Sequence, residues 1–141
     1  MIDQFLKTRY LRGGRGPVEF DCWGMVRSAR CVLFARPELP TLADAAPGNL
    51  RAITRAHGDV SSLHGFEVVP PRLGAIATAW MASLCVHVGL VVEADGRMLI
   101  LETDEPTGPC LTSINRFQAR FTRVLFYDDQ DLPGADAQSP D

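Results

Sequence analysis

The sequence predicts an α+β domain in which N-terminal helices pack on a C-terminal antiparallel sheet. Three observations predict it. An amphipathic run follows a Gly/Arg loop near the start, Arg12 to Pro17. The second half consists of apolar, β-branched segments of strand length, two of them separated by Asp95-Gly96, a strong two-residue hairpin signal. Helices precede strands instead of alternating with them, which argues against a βαβ arrangement. With 141 residues, 46% of them hydrophobic, the chain can bury one core and is short for two. One domain is therefore expected over residues 1–127, followed by a flexible acidic, Pro/Gly-bearing tail, 128–141.

In chain order, the first helix is expected to open on Asp21 as N-cap. Cys22, Met25, Val26, Ala29 and Leu33 follow at helical spacing, Arg27 and Arg30 are left to the wet side, and the helix ends near Arg36, before Pro37. A Pro/Ala stretch from Pro37 to Pro47 leads to a weaker helix, Asn49 to His57, and to a loop through Pro70-Pro71. Strands are then expected at Leu73 to Trp80, Cys85 to Ala94, Arg97 to Thr103 and Phe121 to Tyr127.

Composition excludes several function classes. A formal charge of −3 without a basic stripe gives no nucleic-acid footprint. The opening MIDQFLKTRY never supplies the apolar run of a signal peptide, so folding in the cytoplasm is expected, with the four cysteines reduced. Gly74 to Val92 carries no Asp, Glu, Lys or Arg over nearly the length of a membrane helix, but its His87, its glycines and its β-branched second half favour two buried strands and no membrane span.

Two segments carry chemistry. Phe20 to Val26, FDCWGMV, places Cys22 on the first turn of a helix, where unpaired backbone N–H groups and the positive end of the helix dipole stabilise a thiolate and can meet an oxyanion. His87 lies on a strand leading to the Asp95-Gly96 turn. Pairing back from that turn puts His87, Gly89 and Val91 on one face with Asp104, Glu102 and Ile100, Asp104 directly opposite His87 and Glu102 diagonal to it. Either carboxylate could orient the imidazole in a Cys-His-acid set. The competing readings are a core cysteine and a strand histidine satisfied by a backbone carbonyl. Cys85 and His87 alternate onto one strand face, with His57 and His64 as distant partners, but C-x-x-C and H-E-x-x-H spacings are missing, and neither metal nor cofactor is expected. Cys85 is expected as a core residue, Cys31 and Cys110 as buried or partly buried thiols, and Trp23 as a core aromatic that also walls a cleft.

Taken together, Tyr10-Leu11-Arg12-Gly13-Gly14, Asp21-Cys22-Trp23-Gly24 and His87-Val88-Gly89-Leu90 resemble the NlpC-type cell-wall cysteine peptidases of the papain-like superfamily, over residues 8 to 127. The tryptophan variant is similar to the branch found in phage tail-tip assembly proteins. The resemblance implies a papain-like fold, with Cys22 as nucleophile, His87 as base and Glu102 as the residue orienting it. It further implies that Tyr10 and Asp21 line the substrate cleft and help receive a peptide's free amino end. The third position is most often His in such proteins, and a carboxylate performs the same orienting job. The strand before His87 opens with Gly74-Ala75 in place of the usual Gly-Asp. The function expected on these grounds is cleavage of an amide bond in peptidoglycan stem peptides by a protein associated with a phage-type tail and its tip proteins. The alternatives are a tail-assembly protein with little turnover and a cysteine-based acyltransferase or amidase.

Overall fold

The computed structural model describes residues 1–41, 54–55, 57–58 and 65–129. The elements are α1 (Ile2–Leu6), β1 (Arg9–Tyr10), β2 (Glu19–Phe20), α2 (Cys22–Phe34), β3 (Phe66–Val69), β4 (Ile76–Met81), β5 (Leu84–Ala94), β6 (Arg97–Asp104), β7 (Gly108–Ser113), α3 (Ile114–Ala119) and β8 (Arg123–Asp129). Six strands form an antiparallel sheet in the order β3-β8-β4-β5-β6-β7, and β1 and β2 form a short parallel pair. The expected mixture of helices and antiparallel sheet is present.

The uncharged stretch becomes β4 and β5, joined through Ala82 at φ 57°. Among the described residues no helix is long and apolar enough to cross a membrane. The stretch reads as unbroken apolar sequence because both faces of these central strands are covered. On one face Val88, Leu90, Val92 and Leu101 pack with Met25 and Val26 of α2; on the other Ala77, Val91 and Ile100 pack with Phe117 of α3. Asp95 and Gly96, with φ of 53° and 74°, make the expected hairpin turn, and Ala94 pairs with Arg97.

Other boundaries differ from expectation. β4 starts at Ile76 and β8 at Arg123, later than the expected Leu73 and Phe121. β3 falls in the loop expected through Pro70-Pro71, and β7 in a stretch for which no element was expected. β3 is mostly uncovered, and every residue of β7 is half-buried, so neither carries a period-two apolar signal. α3 is a single short turn of helix capped by Ser113, whose Oγ accepts from the Arg116 amide at 3.2 Å. The expected helix Asn49 to His57 lies largely outside the described residues, of which Thr54, Arg55 and His57 are helical.

α2 begins as expected: Asp21 Oδ1 accepts from the Gly24 amide at 2.8 Å. It ends at Phe34, with Ala35 in the left-handed region, slightly short of the expected Arg36. Arg30 corrects the expectation of a solvated arginine. It is fully buried, bonding Asp128 Oδ1 at 2.7 Å, Asp129 Oδ2 at 3.1 Å and the Gly74 carbonyl at 3.1 Å. Asp128 also accepts from Arg72 at 2.9 Å and Arg36 at 3.3 Å. Asp128 and Asp129 therefore belong to β8 and the domain, correcting the tail boundary expected at residue 128. Residues 130–141 lie outside the described set.

The glycine loop is keyed to the start of α2. Asp21 N–H donates to the Gly14 carbonyl at 3.1 Å, and the Gly13 N–H donates to Asp21 Oδ2 at 3.1 Å. A Cβ on Gly24 would stand 2.2 Å from the Gly14 oxygen, a backbone atom that can yield only by moving the loop. Gly24→Ala is thus expected to cost about 2 kcal/mol or more of stability through overpacking, read as a lowered urea midpoint; an unchanged midpoint refutes the close approach.

Candidate active site

Cys22 is the first residue of α2 and only 3% exposed. Of the first amides of the helix, those of Gly24 and Met25 are taken by the Asp21 side chain and carbonyl. Among the described residues those of Cys22 and Trp23 have no acceptor, and unpaired amides at a helix start can meet a negative charge. The glycine loop holds the cap in place, so the position of the sulfur depends on the packing of Gly14 against Gly24.

His87 reaches this point through an irregularity in β5. Against β4, Trp80 pairs with Cys85 and Ala79 with His87, so Val86 is an extra, bulged residue. The bulge puts Cys85 and His87 on opposite faces of the sheet, correcting the expectation that they share one. Cys85 sits in the α2-side core with its thiol pushed up to about 12 by burial, while the imidazole is flanked by Phe117 and Phe121 at centroid distances of 5.7 and 6.0 Å. Neither a shared metal nor a second nucleophile is compatible with that placement of Cys85. His57, the other described histidine, packs edge-on to Trp80 and Tyr127, and His64 lies outside the described residues.

The sheet forks at the same place. β5 and β6 are paired from Ala94↔Arg97 back to Leu90↔Leu101, beyond which β5 stays with β4 and β6 with β7. His87 and Glu102 project where the two strands part. The imidazole Nε2 meets Glu102 Oε1 at 2.8 Å, which leaves Nδ1 as the nitrogen available to Cys22, whose thiol acts on the ring to raise its pKa. Between the two open carboxylate readings, the geometry selects Glu102. Asp104, expected directly opposite His87, is half-exposed and meets Arg120 at 3.4 Å.

Glu102 is 2% exposed, and its second oxygen accepts from the Thr112 hydroxyl and, at 2.8 Å, from Arg120 Nη1. Burial alone would raise its pKa. Hydrogen bonds from His87, Arg120 and Thr112 outweigh burial and hold it near 2. Burial likewise works against protonation of His87, yet its hydrogen bonds and charge interactions with Cys22 and Glu102 raise it to about 9. The arrangement can keep an imidazolium between a sulfur and a carboxylate, the donor placement needed for transferring a proton to and from a thiol. His87, Glu102 and Asp104 also bring three ligand atoms within 4.8 Å of one another, but the Arg120 guanidinium already supplies the cation there.

The remaining expected site residues separate. Tyr10 is half-buried on β1 and lines a depression of about 360 Å³ with Arg9, Glu105 and Pro109; burial pushes its hydroxyl up to about 12, helped by the negative charges of Cys22, Asp21 and Glu105. Asp21 corrects the expectation of direct contact with a substrate amine. It is fully buried and neutralised by Arg15 at 2.7 Å, so it serves the loop and the cap. Trp23 is core, and its indole N–H is spent on the Pro40 carbonyl at 3.0 Å, which leaves no polar group for a cleft. Sequence reading missed Thr112, Phe117, Arg120 and Phe121. The spacing Phe117-Gln118-Ala119-Arg120-Phe121 was the available signal, since it can stack one guanidinium on two rings. Beyond Glu102 opens a groove of about 960 Å³ lined by Asp104, Cys110, Thr112, Arg116 and Arg120.

Neither protein-family models nor curated protein sequences give a match to this chain.

Proposed function

We propose that the protein is a papain-like cysteine hydrolase in which His87 and Cys22 transfer an acyl group to water. The observation that carries this reading is the buried His87–Glu102 contact of 2.8 Å at the fork of the sheet, with Cys22 on the first turn of α2 near enough to raise the imidazole pKa. The thiolate attacks an amide carbonyl, forming the carbon–sulfur bond, and the Cys22 and Trp23 amides receive the oxyanion. His87 gives its proton to the leaving amine as the carbon–nitrogen bond breaks. It then takes a proton from water, whose oxygen displaces the sulfur and releases the acid. The motifs around Tyr10, Cys22 and His87 supply the substrate class, a peptidoglycan stem peptide, and the association with a phage-type tail.

Purified protein incubated with muropeptides should release a new amine, detected by mass spectrometry. Absence of turnover, or turnover undiminished after iodoacetamide has blocked Cys22, overturns the reading. The pH profile gives a second check. With its folded pKa raised to about 9, His87 keeps its proton until pH nears that value, so kcat/KM should fall on the alkaline side near pH 9. The stability contributed by that proton is fully present below the ordinary histidine pKa of about 6.5 and is lost as pH rises through about 9.

A second reading, a tail-assembly component with little turnover, is favoured by the slight exposure of both reacting side chains, 3% for Cys22 and 5% for His87. Failure of Cys22 to alkylate in the folded protein would favour it.

A further inference from the structure

We propose that Arg120 is a positioning residue for the Cys22–His87 pair, fixing Glu102 in its ionised form and bracing the rings that flank His87. Its effect on turnover rests on the hydrolase reading; the contacts themselves do not. The two oxygens of Glu102 divide their work, Oε1 toward His87 and Oε2 toward Arg120 and Thr112. The second guanidinium nitrogen reaches Asp104 Oδ2 at 3.4 Å, so the fork spans two carboxylates of β6. Its carbon lies 5.5 Å from the Phe117 centroid and 5.1 Å from that of Phe121, the same rings that flank the imidazole. One side chain therefore restrains both partners of the His87–Glu102 hydrogen bond.

The groups facing this pair are Cys22 from α2, Asp104 on β6, Cys110 and Thr112 from β7, and Arg120 just after α3; facing β4 contributes only Ala79 opposite His87. Arg120 is the permanent cation among them. Without it, burial of Glu102 is less compensated, the carboxylate takes up a proton at higher pH, and a protonated Glu102 no longer favours the imidazolium. Lysine supplies the charge but cannot bridge both carboxylates while lying flat on two rings.

The test compares wild type, Arg120→Gln, Arg120→Lys and Thr112→Val. One readout is the iodoacetamide alkylation rate of Cys22 against pH, followed by peptide mass spectrometry because Cys31 and Cys110 are partly exposed. The other is the downfield NMR proton of the His87 Nε2–H bonded to Glu102. In Arg120→Gln, alkylation is expected to fall about tenfold near pH 5 with little change near pH 8, and the resonance to vanish at the lower pH. Arg120→Lys should lie between wild type and Arg120→Gln. Thr112→Val should shift the same way by less, and these two milder variants carry the test if Arg120→Gln does not fold. Profiles and resonances superimposable on wild type overturn the proposal. Wild-type muropeptide turnover with unshifted profiles refutes Arg120 alone, whereas shifted profiles with no turnover refute the hydrolase reading and leave the positioning role standing.

Discussion

Cys22→Ala is expected to lower muropeptide cleavage by ~10⁴-fold or more, with KM for the residual reaction changed little. The sulfur is the only atom of the chain that bonds to the acyl carbon in the proposed mechanism, and neither Cys85 nor Cys110 can replace it. Cys85 shares the α2-side core with Cys22 but lies on the face of β5 opposite His87, with its thiol pushed up to about 12, and Cys110 stands beyond Glu102. Any remaining rate would come from the helix-start amides and from binding. The fold should survive, because Cys22→Ala removes one buried atom and leaves the Asp21 cap and the Gly14–Gly24 contact intact; a loss of about 1 kcal/mol is expected. The comparison needs rates and urea midpoints on the same preparations. Residual cleavage within tenfold of wild type, in a folded variant, would remove Cys22 from the mechanism.

Asp128→Asn is expected to be the most destabilising single change away from the site, by about 3 to 5 kcal/mol in urea unfolding. Its carboxylate is fully buried and accepts from Arg30, Arg36 and Arg72, joining α2, the approach to β4 and the end of β8. An amide keeps the shape but removes the charge, leaving Asp129 as the one carboxylate among the described residues that neutralises the buried Arg30. The loss therefore reflects a stranded guanidinium more than a missing bond, and Arg30→Met in the Asp128→Asn background should recover part of it. Burial tends to raise the Asp128 pKa, but the Asp129 amide and the arginines win and hold it below the ordinary value. Its contribution is thus present above about pH 4 and lost as pH falls toward the folded-state value. Asp128→Asn should flatten the acid side of the stability curve, and an acid limb identical to wild type would show that Asp128 is not its source.

Much of this was legible in the residues because it depended on local chemistry. Asp95-Gly96 fixed a turn with two positive φ angles, Asp21 capped α2 three residues before the amide it binds, and the register back to Leu90 followed from the turn. What failed depended on partners far along the chain. Arg30 lies at helical spacing from Cys22 and Val26, on the buried stripe, but its charge argued for solvent, and only the distant Asp128 and Asp129 make burial tolerable. The bulge at Val86 follows from how β5 meets β4, and no local signal in Cys85-Val86-His87 marks it. The choice of Glu102 over Asp104 came from the end of the β5–β6 ladder, because a ladder that stops at Leu90 has no opposite partner for His87.

That stopping point divides the sheet into two wings. The histidine rides with β4 and the strands outside it, the glutamate with β7, and past Leu90 the backbone does not tie one wing to the other. The imidazole–carboxylate contact of 2.8 Å is consequently also a side-chain rivet across a seam. A scissoring of the wings that left every strand intact would change the separation of those two groups first. Chemical competence and the mechanical closure of the sheet are, at this one spot, the same distance.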